Sequence, residues 1–450
     1  LTTGNAKRKN SLTFQYKWFL GETCVNRKVF FMKKIIASAS LAALGAASLQ
    51  AAYAPGLSPM EKSKPWTVSG LVRGFYDDNP TDSFRSQKQD SWGVEVSPSL
   101  AVNLALDQTL IGFSYVYDLR FYEARRQNDA DHSHQVSLKV SHAFNERYKL
   151  EASDTFNYSQ EPELQSGIVT IPLRTQQNYL HNTGRLGFSA AVTPLLGLEA
   201  AYQNDYWDFK DGGHASSLSA LLDRDEHLGS ITARWQAMPA TVALLGYQYG
   251  IVDHTSKDSV DASGGPFVDP NIRDATSHYI FVGVDQNFNS QLNATLRVGA
   301  QFTDYPNAPA GQSDSSVGPY VDGSATWTYN PGSYLQIGVK HQRNQTDVAF
   351  TLSPTAVQDQ ESTAVYGSIN HRISPKLTGS LLGQYQHSTF HGGGVNGEVD
   401  QIGTLGVNLS YQVNTFVSCE AGYNYDRLDS DIAFRSFTRN RIYFGLRATY

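Results

Sequence analysis

What this chain lacks sets the first bounds on it. Beyond Leu49 there is no uncharged apolar run long enough to cross a bilayer as a helix, and mean hydropathy is below zero. That excludes a bundle of membrane-spanning helices. Cysteine is nearly absent: Cys24 falls in the leader described below, which leaves Cys419 alone in the body. One cysteine forms no internal disulfide, so the fold must hold without one, and Cys419 reads as a small apolar face residue. Basic residues are outnumbered. From Pro55 onward 28 Lys and Arg stand against 41 Asp and Glu, a net charge of −13, which argues against nucleic acid as a partner. No His, Cys and Glu group has zinc-like spacing, and the acidic stretch Asp253–Asp274 lacks the pattern of a calcium loop. The one lipase-like element, His391-Gly392-Gly393-Gly394, has no Gly-x-Ser-x-Gly elbow to accompany it and reads as a flexible outer loop. His142 is read as the one histidine near an apolar face, without an obvious serine beside it. No catalytic residue, metal site or cofactor is expected, and no enzyme.

The N-terminal part is laid out for export. Met32-Lys33-Lys34 is a positive start, Ile35 to Leu49 is an Ala-rich apolar run without charge, and small residues follow. This is the three-part layout of a secretory signal, too short for a spanning helix. Ala52-Tyr53-Ala54 fits the small-x-small rule, but Pro55 would hinder cleavage after Ala54, whereas a cut after Ala51 avoids it. The mature chain is expected to begin between Ala52 and Pro55. Residues 1–31 read as an upstream extension outside the mature protein, 32–54 as the signal, 55–64 as a periplasmic segment and 65–450 as the body.

What the body does have is alternation. Ile111/Phe113/Tyr115/Tyr117/Leu119, Leu292/Ala294/Leu296/Val298/Ala300/Phe302 and Leu405/Val407/Leu409/Tyr411 each place apolar residues at every second position, with polar residues between them. Side chains alternate across a strand, so such segments have one apolar and one polar face. The connections alternate too. Eight short turns, near Asp107, Asn145, Pro194, Pro239, Asn287–Ser290, Pro331, Pro375 and Asn414, separate nine longer polar loops, among them Glu161–Gln177 and Asn344–Glu361. That cadence predicts an all-β, closed antiparallel transmembrane β-barrel of about eighteen strands. Sixteen or twenty remain possible because Pro65–Asp77 and Thr363–Arg372 alternate poorly. A sheet in lipid must pair every exposed backbone group, which requires closure. With 25 Tyr and 22 Phe, the chain is rich in the aromatics that collect at membrane interfaces.

The final strand, Arg441 to Tyr450, puts Ile442, Phe444, Leu446, Ala448 and Tyr450 on one face. It resembles the C-terminal signal strand that the assembly machinery of Gram-negative outer membranes reads. Over Pro65–Tyr450, cadence, length and this strand together resemble the outer-membrane β-barrel porins of the "porin 2" type. The resemblance rests on no catalytic motif. It implies outer-membrane residence, contact with membrane lipid and lipopolysaccharide, and periplasmic chaperones and the barrel assembly machinery as partners during biogenesis. A homo-oligomer stays open.

The face opposite each apolar stripe supplies candidates for lining a pore: Arg73, Glu95, Asp118, Arg120, Lys139, Arg185, Glu199, Arg234, Asp285, Arg297, Asp322, Lys340, Arg372, Glu420, Arg441 and Arg447. Lys149, Glu151, Asp205 and Asp426 share that face. Inward charges need water, so the lumen is expected to be hydrated. Passive diffusion of small hydrophilic solutes or ions is the favoured function. A polysaccharide export conduit and a non-conducting structural or surface-binding barrel are the alternatives. An inward-folded loop with segregated charges would favour diffusion, and a lumen filled by interlocking side chains would favour a structural role.

Overall fold

A computed structural model describes residues 65–84, 87–126, 128–162, 168–261, 267–348 and 356–450. The expected upstream extension 1–31, the signal 32–54 with Ala51, Ala52 and Ala54, and the segment 55–64 lie outside the described residues. Strands β1 to β5 span Trp66–Asp77, Ser91–Ala105, Thr109–Tyr122, Ala130–Ala143 and Tyr148–Ser159. β6 to β9 span Tyr179–Ala191, Leu196–Phe209, Arg224–Met238 and Thr241–His254. β10 (Val260–Asp261) and β11 (Phe267–Val268) form a small ladder of their own. β12 to β16 span Ala275–Asn287, Leu292–Asp304, Ser315–Asn330, Ser333–Asn344 and Val357–Arg372. β17 to β20 span Leu377–Gly392, Val399–Gln412, Val417–Ser430 and Phe437–Thr449.

All except β10 and β11 join one antiparallel sheet of 18 strands. The sheet closes on itself because β1 pairs on both sides: Arg73 lies opposite Glu95 of β2 and opposite Gly445 of β20. Closure leaves no edge to satisfy. Beyond the last ladder residue, Tyr450 and Val68 exchange backbone hydrogen bonds of 2.9 and 3.2 Å, and the Tyr450 ring lies 5.8 Å from that of Trp66.

The eight short turns fall where the sequence places them, and five share one device. The side-chain oxygens of Asn145, Thr193, Asn289, Ser374 and Asn414 each accept from the amides two and three residues on. Short polar side chains thereby replace the backbone partners that the turn removes. In the Asn330-Pro331-Gly332 turn, Gly332 takes φ +81°, which glycine adopts without strain.

The two segments that alternate poorly are full strands all the same. In β1 the pattern is mixed: Leu71 and Phe75 are buried on the inner face, and Gly70 and Gly74 interrupt the outward stripe of Trp66, Val68, Val72 and Tyr76. In β16, Ala364 and Tyr366 turn inward beside outward Thr363, Val365 and Gly367. The expected loop Asn344–Glu361 is shorter than foreseen, since β15 runs through Asn344 and β16 begins at Val357. Inward rings rest on cross-strand glycines. A Cβ on Gly93 would stand 2.2 Å from the Phe75 ring, and one on Gly246 would stand 2.0 Å from that of Phe281, so these strands need bare backbone at those ladder positions.

Candidate functional site

The alternation fixes which side chains face the lumen. The outer stripe is exposed and apolar, with Val72, Val94, Ile231, Val282, Phe444 and Leu446 all at least 47% accessible. The sixteen charged residues singled out from the sequence carry the opposite parity and lie on the inner face. Arg372 does so at the short-turn rim, where it bonds the Pro375 carbonyl.

Toward the long-loop end, on β1 to β4, β20 and the loops after β1, β3 and β5, six arginines interleave with five carboxylates. Glu95 accepts from Arg73 at 2.6 Å and from Arg120 at 3.0 Å. Asp77 accepts from Arg439 at 2.7 Å and from Arg441 at 3.2 Å. Asp131 accepts from Arg125 at 2.7 Å and from Arg174 at 2.6 Å. Arg439 also reaches Asp82 at 3.4 Å. Buried charges at such density are tolerated only when paired, and removing one member strands its partner.

Glu161 completes this cluster from the loop between β5 and β6. It accepts from Arg439 at 2.9 Å and Arg441 at 3.5 Å, with Arg120 at 3.8 Å and Arg174 at 3.9 Å. Burial pushes its carboxyl up, but Arg439, Arg441 and Arg120 outweigh that and hold it well below the usual carboxylate range. Asp82, beside it, goes the other way. Burial raises it to about 7, with Arg439 opposing and Glu161 adding to the rise.

The same loop then crosses the lumen. The Val169 amide donates to Gln386 Oε1 at 2.7 Å, and Gln386 Nε2 donates to the Val169 carbonyl at 2.8 Å. Gln386 is on β17. Seven strands separate β5 from β17 in one direction around the ring, and eight separate β6 from it in the other. Val169 packs there against Ile402, Leu428 and Phe437, while Ile171 packs against Tyr179, Trp207, Phe209 and Leu222.

Nearer the short turns the charges thin out. Arg234 bonds Asp285 at 2.7 Å and, with Arg185, stands 3.7 Å from Glu199. Arg447 pairs with Glu420 at 2.7 Å, and Lys149 with Glu151. Among the described residues, no carboxylate lies within 4.0 Å of Lys139, Arg297 or Lys340, although Asp322 sits between the last two in register.

Sequence reasoning missed Asp77, Asp82, Asp131, Glu161, Arg174 and Arg439. Asp77 and Arg439 share the parity of Arg73 and Arg441 and were legible by extending each strand to its end. Glu161 and Arg174 lie on a loop, where parity gives no signal. The reading of His142 as the one outward histidine is corrected. It bonds Thr109 at 2.8 Å, and His132, His134, His227 and His278 also sit on the outer face, at strand ends where the apolar stripe gives way to polar residues. His391 pairs with Glu361 at 3.3 Å, and Gly393–Val395 makes a 3-10 turn.

Residues 67–450 match the family model described as "Putative beta-barrel porin 2". No curated protein sequence matches the chain. Among solved structures, OccK2 (OpdF) of Pseudomonas aeruginosa, determined in complex with glucuronate, is 12% identical at a TM-score of 0.43, over 85% of this chain and 98% of that one. A BenF-like porin from Pseudomonas fluorescens is 11% identical at 0.43, over 86% and 99%. Acinetobacter baumannii OccAB3 is 12% identical at 0.40, over 86% and 99%. With the family model spanning nearly all of an 18-stranded closed barrel, the chain belongs to the β-barrel porin 2 family.

Proposed function

We propose that this porin passes small hydrophilic solutes or ions by diffusion, with the loop after β5 as its constriction. The observation that carries the reading is the crossing of the lumen by that loop, which leaves β5 and is tied through Glu161 to Arg439 of β20 and through Val169 to Gln386 of β17, on the side of the ring across from β5 and β6. A loop placed so narrows the path without closing the barrel, and fixed charges along a confined path set which ions pass. The lattice of arginines and carboxylates near the loop is internally paired. Among the described residues, the cations free to act on a passing ion therefore include Arg297, Lys340 and Lys139 below it, with Arg185 at 45% side-chain exposure.

Conductance of the purified protein in a planar bilayer under a salt gradient tests this. Stable ohmic steps are expected. Arg297→Glu with Lys340→Glu changes the lumen charge by four units and moves the reversal potential toward cation preference, most strongly at low salt, where screening is weak. An unmoved reversal potential removes these residues from the path, and absence of conductance over many insertions favours the non-conducting barrel. Export through the segment 32–54, cleaved near Ala51 to Ala54, and delivery of the β20 strand to the assembly machinery belong to the same reading.

A further inference from the structure

The outer surface repeats one contact that conduction does not use. The hydroxyl of Tyr117 meets Nδ1 of His132 at 2.7 Å, Tyr115 meets His134 at 3.0 Å, Tyr202 meets His227 at 2.7 Å, and Tyr247 meets His278 at 2.7 Å. Each tyrosine is on a strand rising toward the long loops (β3, β7 or β9). Its histidine is on a falling strand (β4, β8 or β12), two residues nearer those loops than the tyrosine's ladder partner. Those partners are His134 for Tyr117, Val136 for Tyr115, Gly229 for Tyr202 and Ile280 for Tyr247. All of these side chains share the outer, lipid-facing parity of Phe113, Leu119, Ile231 and Val282.

The height is common as well. His132 and His134 are the third and fifth residues of β4 from its long-loop end, and His227 and His278 are the fourth of β8 and β12. A tyrosine hydroxyl that donates into Nδ1 leaves the imidazole proton on Nε2. Among the described residues nothing bonds Nε2 of His132, His134 or His278, while Asp225 Oδ2 lies 3.5 Å from that of His227. An aromatic belt accounts for tyrosines at the edge of an apolar band. It does not require a histidine acceptor at the same diagonal four times.

The long loops of an outer-membrane barrel face the cell exterior, so these nitrogens stand where the barrel wall meets the head groups of the outer leaflet. We propose that the histidine–tyrosine girdle binds the phosphates of the outer-leaflet glycolipid. The Nε2–H of His132, His134 and His278 donates to a phosphate oxygen, and each tyrosine hydroxyl holds its imidazole in the donating orientation. The proposal rests on the position of the barrel in the outer membrane and is independent of what the lumen conducts.

The test uses the purified full barrel in detergent, with its unfolding midpoint followed by heat-modifiable gel mobility. Lipid A is expected to raise the midpoint, and lipid A stripped of its phosphates to leave it nearly unchanged. His132→Leu, His134→Leu, His227→Leu and His278→Leu combined should lose most of that rise. His371→Leu should keep it, because the Tyr329–His371 pair lies at the short-turn end. If the quadruple variant fails to fold, Tyr117→Phe with Tyr202→Phe and Tyr247→Phe should show the same loss to a smaller extent. Equal stabilisation by dephosphorylated lipid A, or a full rise retained in whichever folded variant is measured, overturns the proposal.

Discussion

At the scale of the residue, Asp82 is the group whose environment has the clearest consequence. It is buried beside Glu161 and reached by Arg439 at 3.4 Å, and burial raises it from 3.8 to about 7. A carboxyl raised in this way keeps its proton in the folded chain at pH values where the unfolded chain has lost it. Its contribution to stability is therefore complete below about pH 4, declines as pH rises and is lost by about pH 7. Each pH unit in that window removes at most about 1.4 kcal/mol. Asp82→Asn has no proton to lose, so its apparent unfolding midpoint should fall less steeply than that of the wild type between pH 4 and 7. Parallel curves would place the proton elsewhere in the cluster.

At the scale of the element, the loop after β5 differs from the other long loops in its reach. It is fixed near both ends by charge, through Glu161 and Arg174, and between them by two hydrogen bonds from Val169 to a single buried glutamine. Each such bond is worth about 1 kcal/mol net, so Gln386→Ala weakens the far anchor and leaves the barrel ladder intact. Under the diffusion reading, its single-channel conductance should rise or spread into larger open states, with little change in the barrel's heat-modifiable transition. A conductance distribution identical to wild type would show that packing of Val169 against Ile402, Leu428 and Phe437 holds the loop without the glutamine.

At the scale of the whole molecule, closure is the decisive event. β1 and β20 join the two ends of the sheet, and the seam is sealed by Arg73–Gly445 register and by the Val68–Tyr450 backbone pair. Phe444 faces outward at 61% exposure on that seam. A charge placed there, as in Phe444→Arg, meets lipid at a cost of about 2–4 kcal/mol near the bilayer midplane. Fractionation of cells should find wild type in the outer membrane, with its N-terminus between Ala52 and Pro55, and Phe444→Arg depleted from it. Equal outer-membrane recovery of the two would count against a required β20, and an N-terminus upstream of Met32 would remove the signal reading.

Much of this architecture was decided within short stretches of sequence. A period of two residues assigns each side chain to a face with no knowledge of its neighbours, so the inner positions of Arg185, Arg234, Arg297 and Lys340 were legible from sequence. The turns were legible for a similar reason, since Asn145, Thr193 and Asn414 satisfy amides only two or three residues away. β1 and β16 read poorly because apolar Leu71, Phe75, Ala364 and Tyr366 turn inward, which a pattern tuned to apolar-out strands cannot recognise. What the chain alone could not specify is which groups meet across large separations. Glu161 joins Arg439 over 278 residues, and Val169 joins Gln386 over 217. Those contacts exist only once the ring has closed and brought one wall opposite another. The local period set the faces, and closure of the barrel chose the partners across the lumen.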